Sequence, residues 1–505
     1  MSPADGAPVV DPDRGVDLVA AADGRVSTTA VAKAVVGTAL AAVDPSAAAR
    51  SAEVRDWRGG YLAPYRDLVV AGTRTPEAAY VQARSGLAAL HERSVFHRSG
   101  ATIPLLDAVS TYSVPAFESV TITGQASRDT GLSVPYRGKR LFGAENRRRL
   151  DAWVAEGIVE RGFATAIHAL IDHPDWLELS GVTVVVLGAG AEMGPLRSLL
   201  RWGAHVVAVD LPRPEIWASV IATARSSSGR LTVPVPIGAR PENDTALAAV
   251  AGIDLVRQLP ELHTWIAQLE GPFTLGTYTY ADGATHVRVA LAADALAHAV
   301  LAQRSDVGLA FLATPTDVYA VPMSAVEESR RRWNSRGASG LAQLPLRAVG
   351  RFAPNYPDTV STARGEIGIA DCLVPQQGPN YALAKRLQRW RATQSRVDGT
   401  WSSLNIAPAT RTRSVVKNRA LAAAYAGAHR FGVEVFEPAT SNTLMAALLV
   451  HDLRSVESLA RPDALLAHPD DAWSRQAAHG GLWRSAYAPR SVLGIAAALG
   501  LVTRG

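Results

Sequence analysis

Residues 182–214 read VTVVVLGAGAEMGPLRSLLRWGAHVVAVDLPRP, and this stretch determines the fold class that the sequence predicts. A run of β-branched residues leads into a turn with glycines at 188, 190 and 194. A helical pattern follows, and then a second β-branched run that ends at Asp210. Short apolar strands that alternate with helices favour a parallel sheet with helices on both faces. The sequence therefore predicts an α/β protein.

Each glycine of this turn has a physical role in binding a dinucleotide. Gly188 permits the tight turn out of the strand, and Gly190 lacks the Cβ atom that would obstruct a pyrophosphate. Gly194 lets the helix approach the sheet closely, and the start of that helix offers free N–H groups to the phosphates. The pattern predicts a doubly wound, Rossmann-type sheet that binds a dinucleotide. A tight turn without any ligand is the alternative interpretation.

Asp210 predicts which nucleotide would bind. It lies about 20 residues after the glycine turn, where a carboxylate hydrogen-bonds the ribose hydroxyls of NAD. A 2′-phosphate would meet the negative charge of this carboxylate, so the sequence favours NAD over NADP. Arg213 and Arg201 could offset that charge, which leaves NADP open. S-adenosylmethionine binding also uses a glycine loop with an acid after the second strand, and it is a second alternative.

The alternation of strands and helices continues well beyond this stretch. The predicted strands are Val182–Leu187, His205–Asp210, Leu231–Val235, Phe273–Thr279, Val307–Ala313 and Ser402–Ala407. An irregular segment rich in Pro, Gly, Arg and Ser occupies residues 318–378. Structureless connections of this length are uncommon and are often lids or binding loops, so we predict a lid-like insertion.

The remaining regions carry no motif that indicates chemistry. Thr75–Arg93 is predicted to be a helix that starts at an N-cap Thr75, Leu150–Ile171 a second long helix, and Val114–Val134 an irregular patch that favours strands. The predicted organisation is a disordered leader at 1–16, a mostly helical region at 17–180, a Rossmann domain at 181–453 and a helical C-terminal extension at 454–505.

Composition excludes several classes of protein. Apolar residues make up 48% of the 505 residues and charged residues 19%, as in a packed globular protein. The net charge of +5 is not gathered into a basic stripe, so we expect no nucleic-acid partner. Cys372 is the single cysteine, which excludes a disulfide within the chain and a cysteine-based metal site, and we expect no metal. No apolar run is long enough to span a membrane, and the start of the chain has no signal-peptide layout, so a cytoplasmic protein is expected.

A tyrosine and a lysine four residues apart provide the candidate chemistry. Tyr381 and Lys385 lie in the stretch GPNYALAKRLQRW and would share one face of a helix. A tyrosine hydroxyl normally titrates near pH 10, and a neighbouring ammonium group lowers that pKa. The pair could therefore act as a general acid or base on an alcohol or a carbonyl oxygen. An exposed helical pair without function is the alternative.

In the order of these motifs the sequence resembles the short-chain dehydrogenase/reductase superfamily, from about Val182 to Leu453 except in the 318–378 segment. The resemblance implies that Thr314, at the end of a strand, hydrogen-bonds the substrate oxygen. It also implies that Tyr381 is the acid/base, and that Lys385 lowers the pKa of Tyr381 and holds the ribose. The implied cofactor contacts are Gly188, Ala189, Gly190, Met193, Gly194, Asp210, Leu211, Asp282, Lys385, Pro408 and Thr410.

Within that superfamily the chain is most similar to ketoreductase domains of fungal-type fatty-acid synthases. The similarity lies in Arg389-Trp390, Thr410-Arg411-Thr412, Lys417-Asn418 and Gly432–Phe436. The chain also departs from the superfamily pattern. Thr314 replaces a serine, Asp294 stands on the helix that should supply an asparagine, and about 60 residues separate Thr314 from Tyr381. Ser361 and Thr362 are therefore rivals of Thr314.

The predicted function is hydride transfer between NAD(H) and a carbonyl/alcohol pair, with a small-molecule or acyl-type carbonyl substrate. One alternative is a methyltransferase that uses S-adenosylmethionine. The other is a non-catalytic nucleotide-binding protein that has kept the fold. Neither alternative requires the Tyr381–Lys385 pair. The sequence leaves a homo-oligomer open.

Overall fold

The computed structural model of the chain describes residues 13–21, 23–112 and 114–502. Most of the predicted leader therefore lies outside the described residues. The predicted end of that leader at residue 16 is wrong, because a strand already begins at Gly15 and Val16 is fully buried.

A sheet of seven strands forms the centre of the described chain. We number them β1 to β7: Phe117–Thr123, Thr183–Leu187, His205–Val209, Arg230–Pro236, Phe273–Thr277, Val307–Ala313 and Ser402–Ile406. Every strand predicted from Val182 onward is present, with ends that differ by two residues at most. The order across the sheet is β7-β6-β5-β2-β3-β4-β1, in which β2 to β7 are parallel and β1 is antiparallel to β4. The protein is therefore α/β, with an order of parallel strands that is compatible with a Rossmann-like fold.

The register of the strands brings several chain segments to one edge of the sheet. Leu187 of β2 pairs with Thr277 of β5, and Ala313 of β6 pairs with Ile406 of β7. Because these parallel strands end level with one another, the segments that follow them lie side by side. The glycine turn, the segment after β5, Thr314 and the loop after β7 therefore share the carboxyl edge of the sheet.

Side chains alternate between the two faces of the sheet and separate two hydrophobic clusters. Val185 of β2 belongs to one cluster and Val186 to the other. The first face is covered mainly by helices Thr28–Ala41, Leu62–Gly72, Pro76–His91, Leu105–Thr111, Leu259–Ile266, Gly283–Gln303 and Pro379–Val397. The second face is covered by helices Gly143–Ala155, Arg161–Asp172, Leu196–Arg201, Pro214–Arg225, Asp244–Val250 and Pro438–Arg454. The region 17–180 thus contributes helices to both faces and β1 to the sheet itself.

Details of the N-terminal region differ from the prediction in one place. The predicted helix near Thr75 is present as Pro76–His91, and the Thr75 side chain accepts a hydrogen bond from the Ala78 N–H. The single helix predicted at Leu150–Ile171 is wrong, because two helices, Gly143–Ala155 and Arg161–Asp172, occupy this stretch. Gly157 separates them with a φ of 67°, a conformation that ends a helix. The patch at 114–134 contains β1 and the first residue of a small hairpin, Val134–Tyr136 and Lys139–Leu141.

The segment 318–378 is folded, and the prediction of an irregular segment was wrong. Strands Val318–Val321, Val360–Thr362 and Gly365–Asp371 form an antiparallel sheet, and helices Met323–Asn334, Gly337–Ala342 and Leu344–Arg347 lie between the first two of them. The segment packs against the C-terminal region, where the Tyr356 hydroxyl donates to the Trp483 carbonyl oxygen at 2.7 Å. In the last strand, Gly365–Asp371, small residues alternate with β-branched ones, and this pattern allows the strand to pair within the antiparallel sheet.

After β7 the described chain alternates helices with irregular segments, and residues 455–470 and 475–488 of the predicted helical extension are largely non-helical. The helices after β7 are Arg413–Lys417, Arg419–Gly427, Pro438–Arg454, Asp471–Ser474 and Pro489–Val502. Cys372 is buried, as a small apolar residue would be. Within the described ranges, the helices lack the combination of length and apolarity that crossing a bilayer requires.

Candidate active site at the carboxyl edge of the sheet

The structure brings Thr314 and Tyr381 together in spite of the long segment between them. Thr314 directly follows β6, and Tyr381 lies in the first turn of helix Pro379–Val397. The Thr314 hydroxyl group acts on the pKa of Tyr381, while its own hydrogen-bond partner is the Thr316 hydroxyl group at 2.9 Å. The strand that begins the intervening segment pairs with the strand near its end, Val318 opposite Asp371, so the chain returns to the point from which it left. The segment therefore extends outward, and Thr314 and Tyr381 lie near each other.

A buried ion cluster holds this arrangement in place. Asp317, three residues after Thr314, accepts hydrogen bonds from Arg386 at 3.4 Å and Arg389 at 3.2 Å. Both arginines belong to the Tyr381 helix, and all three side chains are buried. In addition, the Gln377 amide donates to the Thr316 hydroxyl at 2.8 Å. These contacts lock the loop after β6 against the helix and set the distance between the two hydroxyl groups.

The pKa of Tyr381 differs from the expectation. Burial raises the pKa of this hydroxyl above its usual range, and the nearby Thr314 side chain opposes the rise only in part. The shift is therefore opposite in direction to the one expected from Lys385, whose own effect on this pKa stays a prediction. The Lys385 Nζ atom lies 5.9 Å from the centre of the Tyr381 ring. At neutral pH Tyr381 is therefore a protonated phenol, which is suited to donate a proton rather than to accept one.

Lys385 is bound to the protein itself. Its ammonium group donates to the Leu312 carbonyl oxygen at 3.0 Å and to the Gln388 side-chain oxygen at 3.2 Å. Burial lowers the pKa of Lys385 to about 8. The side chain thus ties the end of β6 to the Tyr381 helix. Tyr381 and Lys385 are both half-buried, so they do not form an exposed helical pair.

The glycine turn has the backbone geometry that its sequence requires. Gly188 adopts a φ of 86°, and a Cβ atom there would lie 3.1 Å from the backbone of Thr279. A Cβ atom on the exposed Gly190 would lie 2.9 Å from the Ile216 side chain and 3.3 Å from Asp210 Oδ2. Glycine is therefore required at both positions by the close approach of other parts of the protein. Of the other predicted contacts, Ala189 and Gly194 are buried and Met193 is half-buried.

Asp210 lies directly beside the turn. Its Oδ2 atom accepts from the Gly190 N–H and its Oδ1 atom from the Leu211 N–H, both at 2.8 Å. Burial raises the pKa of Asp210, while these hydrogen bonds and the charge of Arg213 act in the opposite direction. Arg201 forms an ion pair with Asp129 instead. Of the two arginines considered from the sequence, only Arg213 acts on this carboxylate.

The loop after β7 closes over the glycine turn. Glu192 in the turn accepts hydrogen bonds from the backbone and side-chain nitrogens of Arg413, at 2.7 and 2.9 Å. The Asn442 amide donates to the Glu192 carbonyl oxygen at 3.1 Å. Thr410 donates to the carbonyl oxygen of Pro408 and is hydrogen-bonded to the Ser441 hydroxyl. Pro408 and Thr410 therefore lie in a loop whose own contacts fix its path beside the turn.

Sequence reasoning missed His286, which lies against Tyr381. The two rings are stacked with centres 5.4 Å apart and an angle of 10° between their planes. His286 is in the first turn of helix Gly283–Gln303, and Asp282 before it accepts a hydrogen bond from the Tyr280 hydroxyl. His286 is a polar residue shortly after a central parallel strand, at the edge where such sheets bind ligands. This position in the sequence could have indicated His286 as a candidate site residue.

The remaining candidates lie elsewhere. Ser361 is hydrogen-bonded to Glu366, and Thr362 to the Gly365 carbonyl oxygen, within the hairpin of the 318–378 segment. Asp294 binds Arg391 and His91 and makes no contact with Tyr381. Thr314 is therefore the hydroxyl at the site. Over the described part of the chain, no cluster of three or more His, Cys, Asp or Glu side chains could hold a metal ion.

Comparison with known proteins adds no assignment to this geometry. No protein-family model matches the chain, and a search of curated proteins gives no match.

Proposed function

We propose that the protein is an NAD(H)-dependent oxidoreductase with a Rossmann-type domain, similar to the short-chain dehydrogenases/reductases, that interconverts a carbonyl and an alcohol. The observation that carries the proposal is that the Thr314 hydroxyl group lies near enough to Tyr381 to act on its pKa. This hydroxyl group lies on the edge of the sheet that also holds the glycine turn and Asp210. Neither a methyltransferase nor a non-catalytic nucleotide-binding protein requires these two side chains near each other.

The side chains have separate tasks in this reaction. The bound dinucleotide supplies the hydride acceptor or donor, and Gly190 and Asp210 would hold its pyrophosphate and its adenosine ribose. Thr314 and Tyr381 bind the carbonyl oxygen of the substrate. Tyr381, protonated at neutral pH, donates its proton to that oxygen as the alcohol forms. Lys385 keeps the end of β6, and so Thr314, in position through the Leu312 carbonyl oxygen.

We propose an acyl-type substrate, whose chain would occupy an apolar cavity in the C-terminal region. The cavity has a volume of about 350 Å³ and lies between helices Arg419–Gly427 and Pro489–Val502. Pro375 and Gln376, which line it, immediately precede the segment that leads to Tyr381. Such a cavity accommodates an apolar chain attached to the reacting carbonyl group.

The choice of cofactor is the first test. We expect NADH to stabilise the protein against heat more than NADPH at equal concentration, because the Asp210 carboxylate binds ribose hydroxyls and repels a 2′-phosphate. A ligand at about 100 times its Kd stabilises the folded state by about 2.7 kcal/mol, which a thermal unfolding curve detects. The measurement compares NADH, NADPH and S-adenosylmethionine.

Each other outcome has a distinct meaning. Stronger stabilisation by NADPH would show that Arg213 determines the preference, and Arg213→Ala should then reverse it. Stabilisation by S-adenosylmethionine alone would contradict the oxidoreductase and support the methyltransferase.

A further inference from the structure

His286 carries a polar atom that the protein leaves without a partner. The side chain is 2% exposed, and its Nδ1 atom accepts a hydrogen bond from the Ala281 N–H at 3.1 Å. Its Nε2 atom is also buried, and the described residues offer it no hydrogen-bond partner. An unsatisfied buried polar group is destabilising, so such a group in a native site calls for an explanation.

The protonation of His286 follows from its surroundings. Burial, together with the charge of Lys385, lowers the pKa of His286 to about 3, so the ring is neutral at physiological pH. Because Nδ1 accepts a hydrogen bond, the single ring proton lies on Nε2. The unpartnered atom is therefore a hydrogen-bond donor.

The position of His286 indicates which ligand group this donor faces. Strand β5, which leads to His286, lies between β2 with the glycine turn and β6 with Thr314. Contacts connect the two ends of the site: Gly188 approaches the Thr279 backbone, and the Tyr280 ring lies 5.2 Å from His286 and 6.4 Å from Tyr381. A dinucleotide that extends from the glycine turn to Tyr381 must cross the end of β5, and the part that crosses there is the ribose next to the nicotinamide.

We propose that His286 donates its Nε2–H to a hydroxyl group of the nicotinamide ribose of a bound dinucleotide. Lys385, to which the resemblance gave this task, is already bound to the Leu312 carbonyl oxygen and to Gln388. His286 would also hold the Tyr381 ring in place through their stacked faces. The inference rests on the proposed function, because it requires a dinucleotide in the cleft.

Two substitutions separate the donor role from a role in packing. His286→Phe keeps a ring against Tyr381 and removes the donor, whereas His286→Gln keeps an N–H donor and removes the ring. We expect His286→Phe to raise the Kd for NADH about 3- to 10-fold, the contribution of one neutral hydrogen bond. The Kd for ADP should not change, because ADP contains only the adenosine half. His286→Gln should retain the affinity for NADH to within about 2-fold.

The reverse pattern would overturn the inference. If His286→Phe binds NADH as the unsubstituted protein does while His286→Gln binds it weakly, the ring packs and does not donate. Equal weakening of NADH and ADP by His286→Phe would also contradict it, since ADP does not reach this side chain.

A measurement on the unsubstituted protein covers the case in which a variant does not fold. In protein labelled with ¹⁵N-histidine, NADH should shift the His286 Nε2–H resonance, and ADP should not. If the protein binds NADH and this resonance does not move, the inference fails and the proposed function stands. If the protein binds no NADH at all, the proposed function fails, and this inference fails with it.

Discussion

Replacing Tyr381 by phenylalanine should lower turnover by roughly 10²- to 10⁴-fold, which is the usual contribution of one positioned acid or base. The substitution removes the hydroxyl group that lies near Thr314 and keeps the ring that stacks on His286. The fold and the affinity for NADH should therefore remain. The measurement is the NADH-dependent reduction of a panel of ketones, aldehydes and 3-oxoacyl thioesters.

Two further substitutions provide the controls for this result. Thr314→Val should also lower turnover, whereas Thr314→Ser should keep most of it, because serine retains the hydroxyl group. Tyr65→Phe is the matched control, since it removes the hydroxyl of a buried tyrosine that packs near the same helix. That hydroxyl has no hydrogen-bond partner among the described residues, so its loss should not change turnover. Unchanged turnover in Tyr381→Phe would refute the proposed chemistry.

The raised pKa of Tyr381 predicts how the rate of reduction depends on pH. Tyr381 has to be protonated to donate its proton. Deprotonation of Tyr381 should therefore not lower the rate of reduction at any pH below the usual tyrosine pKa of about 10. A decline with a midpoint near pH 7 that Tyr381→Phe abolished would show that the pKa is lowered instead. Lys385 would then lower the pKa of Tyr381, as the sequence predicts.

Asp294→Asn should destabilise the folded protein by about 3–5 kcal/mol, the cost of leaving one partner of a buried ion pair without the other. Asp294 accepts two hydrogen bonds from Arg391, at 2.6 and 2.9 Å, and one from His91 at 2.6 Å. Asp294 and Arg391 are both buried. They join the helix that carries His286 to the helix that carries Tyr381. Urea unfolding at pH 7 measures the difference in the free energy of unfolding.

The effect of Asp294→Asn should depend on pH in a known direction. Burial by itself would raise the pKa of Asp294, but the charge of Arg391 and the hydrogen bonds from Arg391 and His91 lower it well below its usual value. A carboxyl group whose pKa is lowered by folding stabilises the protein above its unfolded pKa of about 3.9, and this contribution is lost as the pH falls further. The difference between the two proteins should therefore be largest near neutral pH and decrease below about pH 4.

A surface ion pair provides the control for this experiment. Asp463 pairs with Arg461 at 2.9 Å, but both side chains are largely exposed to solvent. Exposed pairs contribute little to stability, so Asp463→Asn should leave the free energy of unfolding unchanged within error. An equal effect of the two substitutions would contradict the assignment of a buried, stabilising cluster to Asp294.

Much of the central sheet could be predicted from local sequence. The β-branched runs predicted each parallel strand from Val182 onward, since a strand buried on both faces requires a short, continuous apolar run. The glycine turn was equally predictable, because the positive φ of Gly188 and the close approach at Gly190 are requirements of the backbone at those positions. Thr75 capped its helix as expected. The strands and the Thr75 cap have their physical cause within a few residues, whereas the close approaches at the glycine turn come from Thr279 and Ile216.

Tertiary structure alone decided the composition of the site. Whether Thr314, Ser361 or Thr362 meets Tyr381 depends on the pairing of Val318 with Asp371, which folds the intervening segment away from the cleft. The raised pKa of Tyr381, the internal partners of Lys385 and the unpartnered donor of His286 all follow from burial and from neighbours distant in the chain. The sequence determined the strands, the turn and the types of reactive side chain. Their contacts and protonation depend on packing, because desolvation and hydrogen bonding act through space rather than along the chain.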